Sequence, residues 1–166
     1  GFEYTKSIDI DGSLSVTITG YNGTPSGNLI IPEEIDGFPV RNIGTHAFYG
    51  CSGFTGILSI PDGIISIGES AFSACCGLTG DLIIPDSVTS IGDDAFSYCS
   101  GFKGNLILPN GIKSIGSYAF FDCNGFTAEI VLPNSITYIG NDAFHGCSGF
   151  TGSIMLPEKL KFVNSS

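Results

Sequence analysis

Positive charge is the scarcest thing in this sequence. Six Lys and Arg stand against sixteen Asp and Glu, a formal net charge of -10 over 166 residues. A nucleic acid or an anionic membrane would be repelled over most of such a surface, so neither is an expected partner. Long apolar runs are missing too: none approaches the roughly 20 residues that span a bilayer, which argues against membrane insertion by this chain. No basic region followed by an apolar segment opens the sequence. Gly1 stands where a Met would begin a chain, which fits a processed or recombinant start with any export signal outside this sequence.

What is present is apolar and turn-rich. Hydrophobic residues make up 42% of the chain and mean hydropathy is +0.31, values of a folded protein long enough for one domain with a sizeable core. There are 24 glycines. Many follow a strict period. Gly44, Gly68, Gly92, Gly116 and Gly140 are 24 residues apart, as are the Ala-Phe pairs that begin at Ala47, Ala71, Ala95, Ala119 and Ala143. The same step runs through Cys51, Cys75, Cys99, Cys123 and Cys147, through Phe54, Leu78, Phe102, Phe126 and Phe150, and through Pro61, Pro85, Pro109, Pro133 and Pro157. Pro32 comes one repeat earlier, displaced by five extra residues between Glu33 and Val40.

One unit has too little chain to cover its own apolar positions. Stacked units bury each column against its neighbour, so the period predicts a β-rich repeat solenoid of parallel strands with coils about 4.8 Å apart. Leu82-Ile83-Ile84 reads as a short strand ended by Pro85, which lacks a ladder donor. Val88 to Ile91 reads as a second extended segment, and Asp93 to Phe96 as one short helical or 3₁₀ turn at a corner. The glycine columns are expected to supply positive φ or tight corners. Residues 1–27 read as an N-terminal β-hairpin cap turning at Asp11-Gly12, and 28–166 as about five to six coils of one structural domain. The pair Asp9-x-Asp11-Gly12 lacks the later ligands of a calcium loop and is better explained by that turn.

The motif Ile-Pro-x-x-Val-x-x-Ile-Gly-x-x-Ala-Phe-x-x-Cys-x-x-Leu is almost complete from Ile84 to Phe102, and it resembles the leucine-rich repeats of the BspA type. The resemblance covers residues 28 to 163. Departures are small: Phe usually replaces the last Leu, Ala128 replaces the glycine of Gly56, Gly80 and Gly104, and the last unit fades at Val163-Asn164. The resemblance implies a right-handed, curved leucine-rich-repeat solenoid, a bacterial surface or secreted location, and a role in adhesion or protein recognition.

Chemistry-bearing residues are few and scattered. Stacking would bring equivalent cysteines within disulfide range, but their side chains point in parallel and five in a row leave one over. A linear ladder does not converge on zinc either. A column of buried free thiols is the expected state. Cys76 stands where other units carry Ser52, Ser100, Asn124 and Ser148, so it is expected to be the most exposed of the six, with no base nearby to activate it. His46 and His145 fall in different columns about four coils apart, and Glu33-Glu34 and Asp93-Asp94 read as capping or solvated acids. Asn22-Gly23-Thr24 fits a glycosylation sequon. No catalytic, metal or cofactor site is expected.

The informative column is Ile30, Ser59, Ile83, Ile107, Val131 and Met155. If its two neighbours face the core, period-two geometry turns it outward. The column two residues earlier, which includes Asp81, Asn105 and Glu129, is outward as well. An apolar stripe edged by acids on a continuous sheet describes a binding face, and it equally describes β-branched residues chosen for strand propensity. The sequence therefore carries three non-enzymatic readings: an extracellular module that recognises a protein through this face, a passive spacer within a larger surface protein, and a glycan-binding module.

Overall fold

The computed structural model describes residues 1–161. Strands β1 (Phe2–Ile8) and β2 (Leu14–Tyr21) form an antiparallel hairpin. Gly12, at φ 85°, makes the turn between them, and Asp11 Oδ1 accepts the N–H of Ser13 at 2.9 Å. Asp9 Oδ1 accepts Ser15 Oγ at 2.7 Å, so both acids are engaged within the turn. After β3 (Leu29–Ile30), the five-residue insertion folds as a second small hairpin, β4 (Glu34–Ile35) against the start of β5 (Phe38–Ile43). Its turn residues Asp36 and Gly37 both have positive φ, 54° and 78°, the combination a tight two-residue hairpin requires. Asp36 then accepts Tyr4 Oη at 2.5 Å and pairs with Lys6 Nζ at 3.2 Å, which ties the insertion to the opening hairpin.

From there each coil repeats two short extended segments. The first series is β6 (Leu58–Ser59), β8 (Gly80–Ile83) and β10 (Phe102–Ile107); the second is β7 (Ser66–Ile67), β9 (Ser90–Ile91), β11 (Ser114–Ile115) and β12 (Tyr138–Ile139). The second series is continuous. It extends the hairpin into one sheet in the order β1-β2-β5-β7-β9-β11-β12, parallel from β2 onward. The first series is not: β3 pairs only with β6 and β8 only with β10. The continuous sheet expected under the Ile83 column is therefore broken among the described residues into two strand pairs, with only the isolated bridges Ile57 to Thr79 and Glu129 to Thr151 beside them. Pro61, Pro85, Pro109 and Pro133 close each of these segments without a ladder donor, which limits how far the pairing runs.

The third side of each coil is a corner ladder with no helix. The single helical or 3₁₀ turn expected at Asp93 to Phe96 is drawn out into three separate turns, with N–H groups of Ala95, Ser97 and Cys99 bonding to the carbonyls of Gly92, Asp94 and Phe96. The intervening N–H groups of Asp94, Phe96 and Tyr98 donate instead to Ser117, Ala119 and Phe121 of the next coil, at 2.8, 2.7 and 2.7 Å. Alternation between local and inter-coil bonds is possible because every fourth residue is left-handed: His46, Ser70, Asp94, Tyr118 and Asp142 in one column, Ala74, Tyr98 and Asp122 in the other, all at φ 52–61°. Positive φ thus falls on columns that are mostly not glycine. The repeated glycines answer a different need. A Cβ on Gly92 would lie 2.7 Å from the Glu69 nitrogen, and one on Gly101 2.2 Å from the Leu78 oxygen, so these columns allow backbones of adjacent coils to touch.

Between the three sides lies one core. Phe48, Phe72, Phe96, Phe120 and Phe144 stack face to face with ring centroids 5.1–5.5 Å apart, and Phe102, Phe126 and Phe150 form a second stack at 5.8 and 5.4 Å. Each such pair adds about 0.5–1.5 kcal/mol beyond the area it buries. At the far end of the described residues the inward columns open, and Ile154 and Leu156 are 46% and 58% exposed.

Candidate functional site

All six cysteines are free. Cys75, Cys99 and Cys123 are buried, Cys51 and Cys147 partly so, and Cys76 is exposed. The thiols of Cys75, Cys99, Cys123 and Cys147 each donate at 3.0 Å to a phenylalanine carbonyl of the preceding coil, Phe48, Phe72, Phe96 and Phe120 in turn. The column thus needs a small apolar group with a weak donor, which is what a thiol is. Burial pushes the Cys75 and Cys147 thiols up to about 12, and raises Cys99 and Cys123 as well. A thiol held protonated is a poor nucleophile. Among the described residues no group of three or more His, Cys, Asp and Glu is gathered that could hold a metal ion.

The acids singled out from the sequence hold coils together. Asp93 Oδ1 accepts the Ser117 N–H at 2.8 Å, and Asp81 Oδ1 accepts Asn105 N–H and Nδ2 at 2.7 and 3.3 Å. Asn28 Oδ1 does the same for Ile57. Each caps the backbone one coil further on.

The Ile83 column faces out. Ile30, Ile83, Ile107, Val131 and Met155 are 51%, 54%, 46%, 72% and 80% exposed, Ser59 is intermediate, and Leu58, Leu82, Leu106 and Ile130 beside them are buried. Ile57, in the neighbouring column, adds another half-exposed side chain. Two shallow depressions of about 390 and 270 Å³ lie along this stripe, the first between Ile83 and Ile107, the second between Ile107, Asn105, Glu129 and Val131. The continuous sheet presents a different surface, a polar line of Asn42, Ser66, Ser90, Ser114 and Tyr138 over a depression of about 400 Å³. Ser66 Oγ donates to Asn42 Oδ1 there at 2.7 Å.

A third surface has no counterpart in the sequence reading. On the corner ladder the Phe121 ring meets Tyr98 and Tyr118 edge-on at 5.5 Å each and stacks on His145 at 5.2 Å. Tyr98 is 51% and Tyr118 39% exposed. The signal was available as aromatics in columns that elsewhere hold Ser70, Ser73, Ala74 and Ser97.

A β-solenoid with 24-residue coils, stacked phenylalanines and a buried thiol ladder is a leucine-rich-repeat architecture. The chain belongs to the family of the BspA type leucine rich repeat region, whose pattern matches residues 21–151 in six copies. That match begins at residue 21, within the hairpin's second strand. Among solved structures, a T. pallidum leucine rich repeat protein is 32% identical with a TM-score of 0.79, the alignment covering 93% of this chain and 69% of that one. A leucine-rich repeat protein from Bacteroides ovatus is also 32% identical, with a TM-score of 0.74, covering 96% of this chain but 40% of that one. A leucine rich cell surface protein from Faecalibacterium prausnitzii shares the fold at 24% identity and a TM-score of 0.52, covering 91% of this chain and 52% of that chain. No curated protein matches the chain.

Proposed function

We propose that the chain is a non-enzymatic protein-recognition module that works at the cell surface or after secretion, binding through the stripe Ile30, Ile83, Ile107, Val131 and Met155. The observation that carries this reading is the exposure of five large apolar side chains in one column, interrupted by Ser59, beside the buried column of Leu58, Leu82, Leu106 and Ile130. Covering a half-exposed Ile or Val would contribute about 1 kcal/mol each, so three or four suffice for a central contact with Glu129 and the capped Asp81-Asn105 pair on its rim. Membership of a repeat family supports recognition over catalysis. An oxidising location is compatible with six free thiols because three are buried in the core and two more are partly covered.

The spacer reading has one observation in its favour: Asp81 and Asn105, expected on the binding rim, already serve the stacking of coils. A binding screen against immobilised extracellular-matrix proteins and a glycan array separates the readings. The Ile83→Ser, Ile107→Ser, Val131→Ser variant should lose the bound protein while its circular dichroism is unchanged. Retained binding sinks the proposed face, and absence of any protein ligand favours the spacer. Display at the surface is checked by protease shaving of intact producing cells.

A further inference from the structure

The corner ladder carries a cluster that neither packing nor backbone geometry requires. In coil order, three of its columns read Ser70-Ser73-Ala74, Asp94-Ser97-Tyr98, Tyr118-Phe121-Asp122 and Asp142-His145-Gly146, with Ser70, Ser73 and Ser97 buried and Tyr98 and Tyr118 exposed. Small residues fill the first of these sets, that of coil two, without loss of the ladder, since the N–H groups of Ser70 and Ala74 donate to the Asp93 and Ser97 carbonyls at 2.8 Å just as their successors do. Yet two of the left-handed sites are filled by tyrosine, Tyr98 at φ 60° and Tyr118 at φ 57°. Bulky side chains rarely occupy that region, which glycine, asparagine and aspartate tolerate best. Both rings are substantially exposed, so they do not serve the core.

The rings and acids interleave. Tyr118 sits in its column between Asp94 and Asp142, Tyr98 lies one coil below Asp122 in its own, and Phe121 joins the two tyrosines by edge-on contacts. Aromatic faces flanked by carboxylates are complementary to lysine and arginine, which gain from both cation–π and ionic contact. The molecule holds one such assembly internally: Lys6 Nζ lies 4.6 Å from the centre of the Phe38 ring and 3.2 Å from Asp36. Apart from His145, whose Nδ1 is 3.8 Å from Asp142, the cluster has no basic member of its own.

We propose that this corner face of the third to fifth coils is a second interaction surface, for a basic protein segment whose lysine or arginine side chains lie on Tyr98, Tyr118 and Phe121 and pair with Asp94 and Asp122. It is separate from the Ile83 stripe and does not depend on it. Recognition is by ring and charge together, so neither alone suffices.

The test is fluorescence-anisotropy titration of the whole chain with a labelled peptide of alternating Arg and Gly, at low and moderate salt. The variant Tyr98→Ala, Tyr118→Ser, Phe121→Ser copies residues that coil two already uses and leaves the charge unchanged. It should weaken binding at least tenfold with its circular dichroism unaltered, and Phe121→Ser alone, a residue found at that column in two other coils, should weaken it severalfold. Asp94→Asn with Asp122→Asn should weaken binding and flatten its salt dependence. The stripe variant Ile83→Ser, Ile107→Ser, Val131→Ser should bind the peptide as the parent does. Unchanged affinity in both ring variants would reduce the interaction to diffuse charge and overturn the proposal. So would no binding by the parent, or binding of a neutral laminari- or cello-oligosaccharide by the rings in place of the peptide.

Discussion

Replacing Gly101 by Ala should be among the most damaging single-methyl additions this solenoid can receive. Its φ is not in the left-handed range, so the residue type is not demanded by the local backbone. The obstacle is the coil beneath: the new Cβ would lie 2.2 Å from the Leu78 oxygen and 2.3 Å from the Cys76 oxygen, two backbone atoms that no rotamer change can move. Relief needs a separation of about 1 Å, and overpacking of that kind costs about 1–3 kcal/mol. Opening the coils by that much also takes the bonds from Ser70, Phe72 and Ala74 to the third coil from 2.8 Å to beyond hydrogen-bonding range. At about 1 kcal/mol each, partial loss of these bonds brings the total to about 3–5 kcal/mol, against about 0.4–1 kcal/mol gained from the stiffer unfolded chain. Gly111→Ala is the matched control. Its Cβ would meet only the Asp86 oxygen at 3.5 Å, an ordinary contact, so stability should hold or rise slightly. For a chain of this length, thermal melting followed by circular dichroism should show Gly101→Ala lower by about 6–15 °C and Gly111→Ala within about 2 °C of the parent. A Gly101→Ala midpoint within about 2 °C of the parent, or an equal fall for Gly111→Ala, would refute close coil contact as the reason for the glycine column.

The thiol ladder makes stability depend on alkaline pH. The Cys75 thiol is held up at about 12 in the fold against an ordinary value of 9.0, so its contribution is complete below about pH 9 and is lost as pH rises toward 12. Cys75→Ala should therefore flatten the fall of unfolding free energy above pH 9 by up to about 1.4 kcal/mol per pH unit in urea titrations, and an unchanged slope would exclude the buried thiol as its source. In the folded protein a thiol reagent should modify Cys76 quickly and the buried Cys75, Cys99 and Cys123 only after unfolding, as counted by release of thionitrobenzoate; fast reaction at any of those three would contradict the packing described. Ser87 Oγ accepts the Gly63 N–H at 2.9 Å and donates to the Ile64 oxygen at 2.6 Å, so Ser87→Ala strips both groups at once and should cost about 1–2 kcal/mol by urea denaturation. Ser135→Ala, which removes a bond to Ile112 alone, should cost less.

Columns were legible in the sequence because burial in a solenoid repeats with the coil. The inward Leu82 and Ile84, the outward Ile83 and the thiol at Cys99 all follow from a period of 24 and the alternation of a short strand. What the period could not show is how coils bond to one another. Nothing in Leu82-Ile83-Ile84 distinguishes a strand in a two-member pair from one in a continuous sheet, because the difference lies in how far neighbouring segments stay in register. The glycines misdirected for a related reason: Gly92 and Gly101 look like turn residues until the preceding coil is placed 2.2–2.8 Å from their missing side chains. Left-handed sites were hidden behind His46, Asp94 and Tyr118, residue types with no shared signature.

The acids of the opening hairpin, the insertion and the corners show why a chain with so few bases remains a well-bonded stack. Four of the carboxylates accept backbone or hydroxyl donors: Asp93 from Ser117, Asp81 from Asn105, Asp11 from Ser13, Asp9 from Ser15. Hydrogen bonds to a carboxylate favour its charged form, and those from Ser13, with a smaller contribution from the charge of Arg41, hold Asp11 below its usual range. Asp94 goes the other way. Burial raises it first, and although Ser97 opposes that, the charges of Asp93 and Glu69 raise it further. A repeat that uses its acids as backbone acceptors keeps their negative charge on the surface instead of cancelling it with lysine or arginine. That charge is then left for whatever approaches from outside, and a site that joins it to exposed aromatic rings, as the corner of coils three to five does, favours a cationic partner over an anionic one.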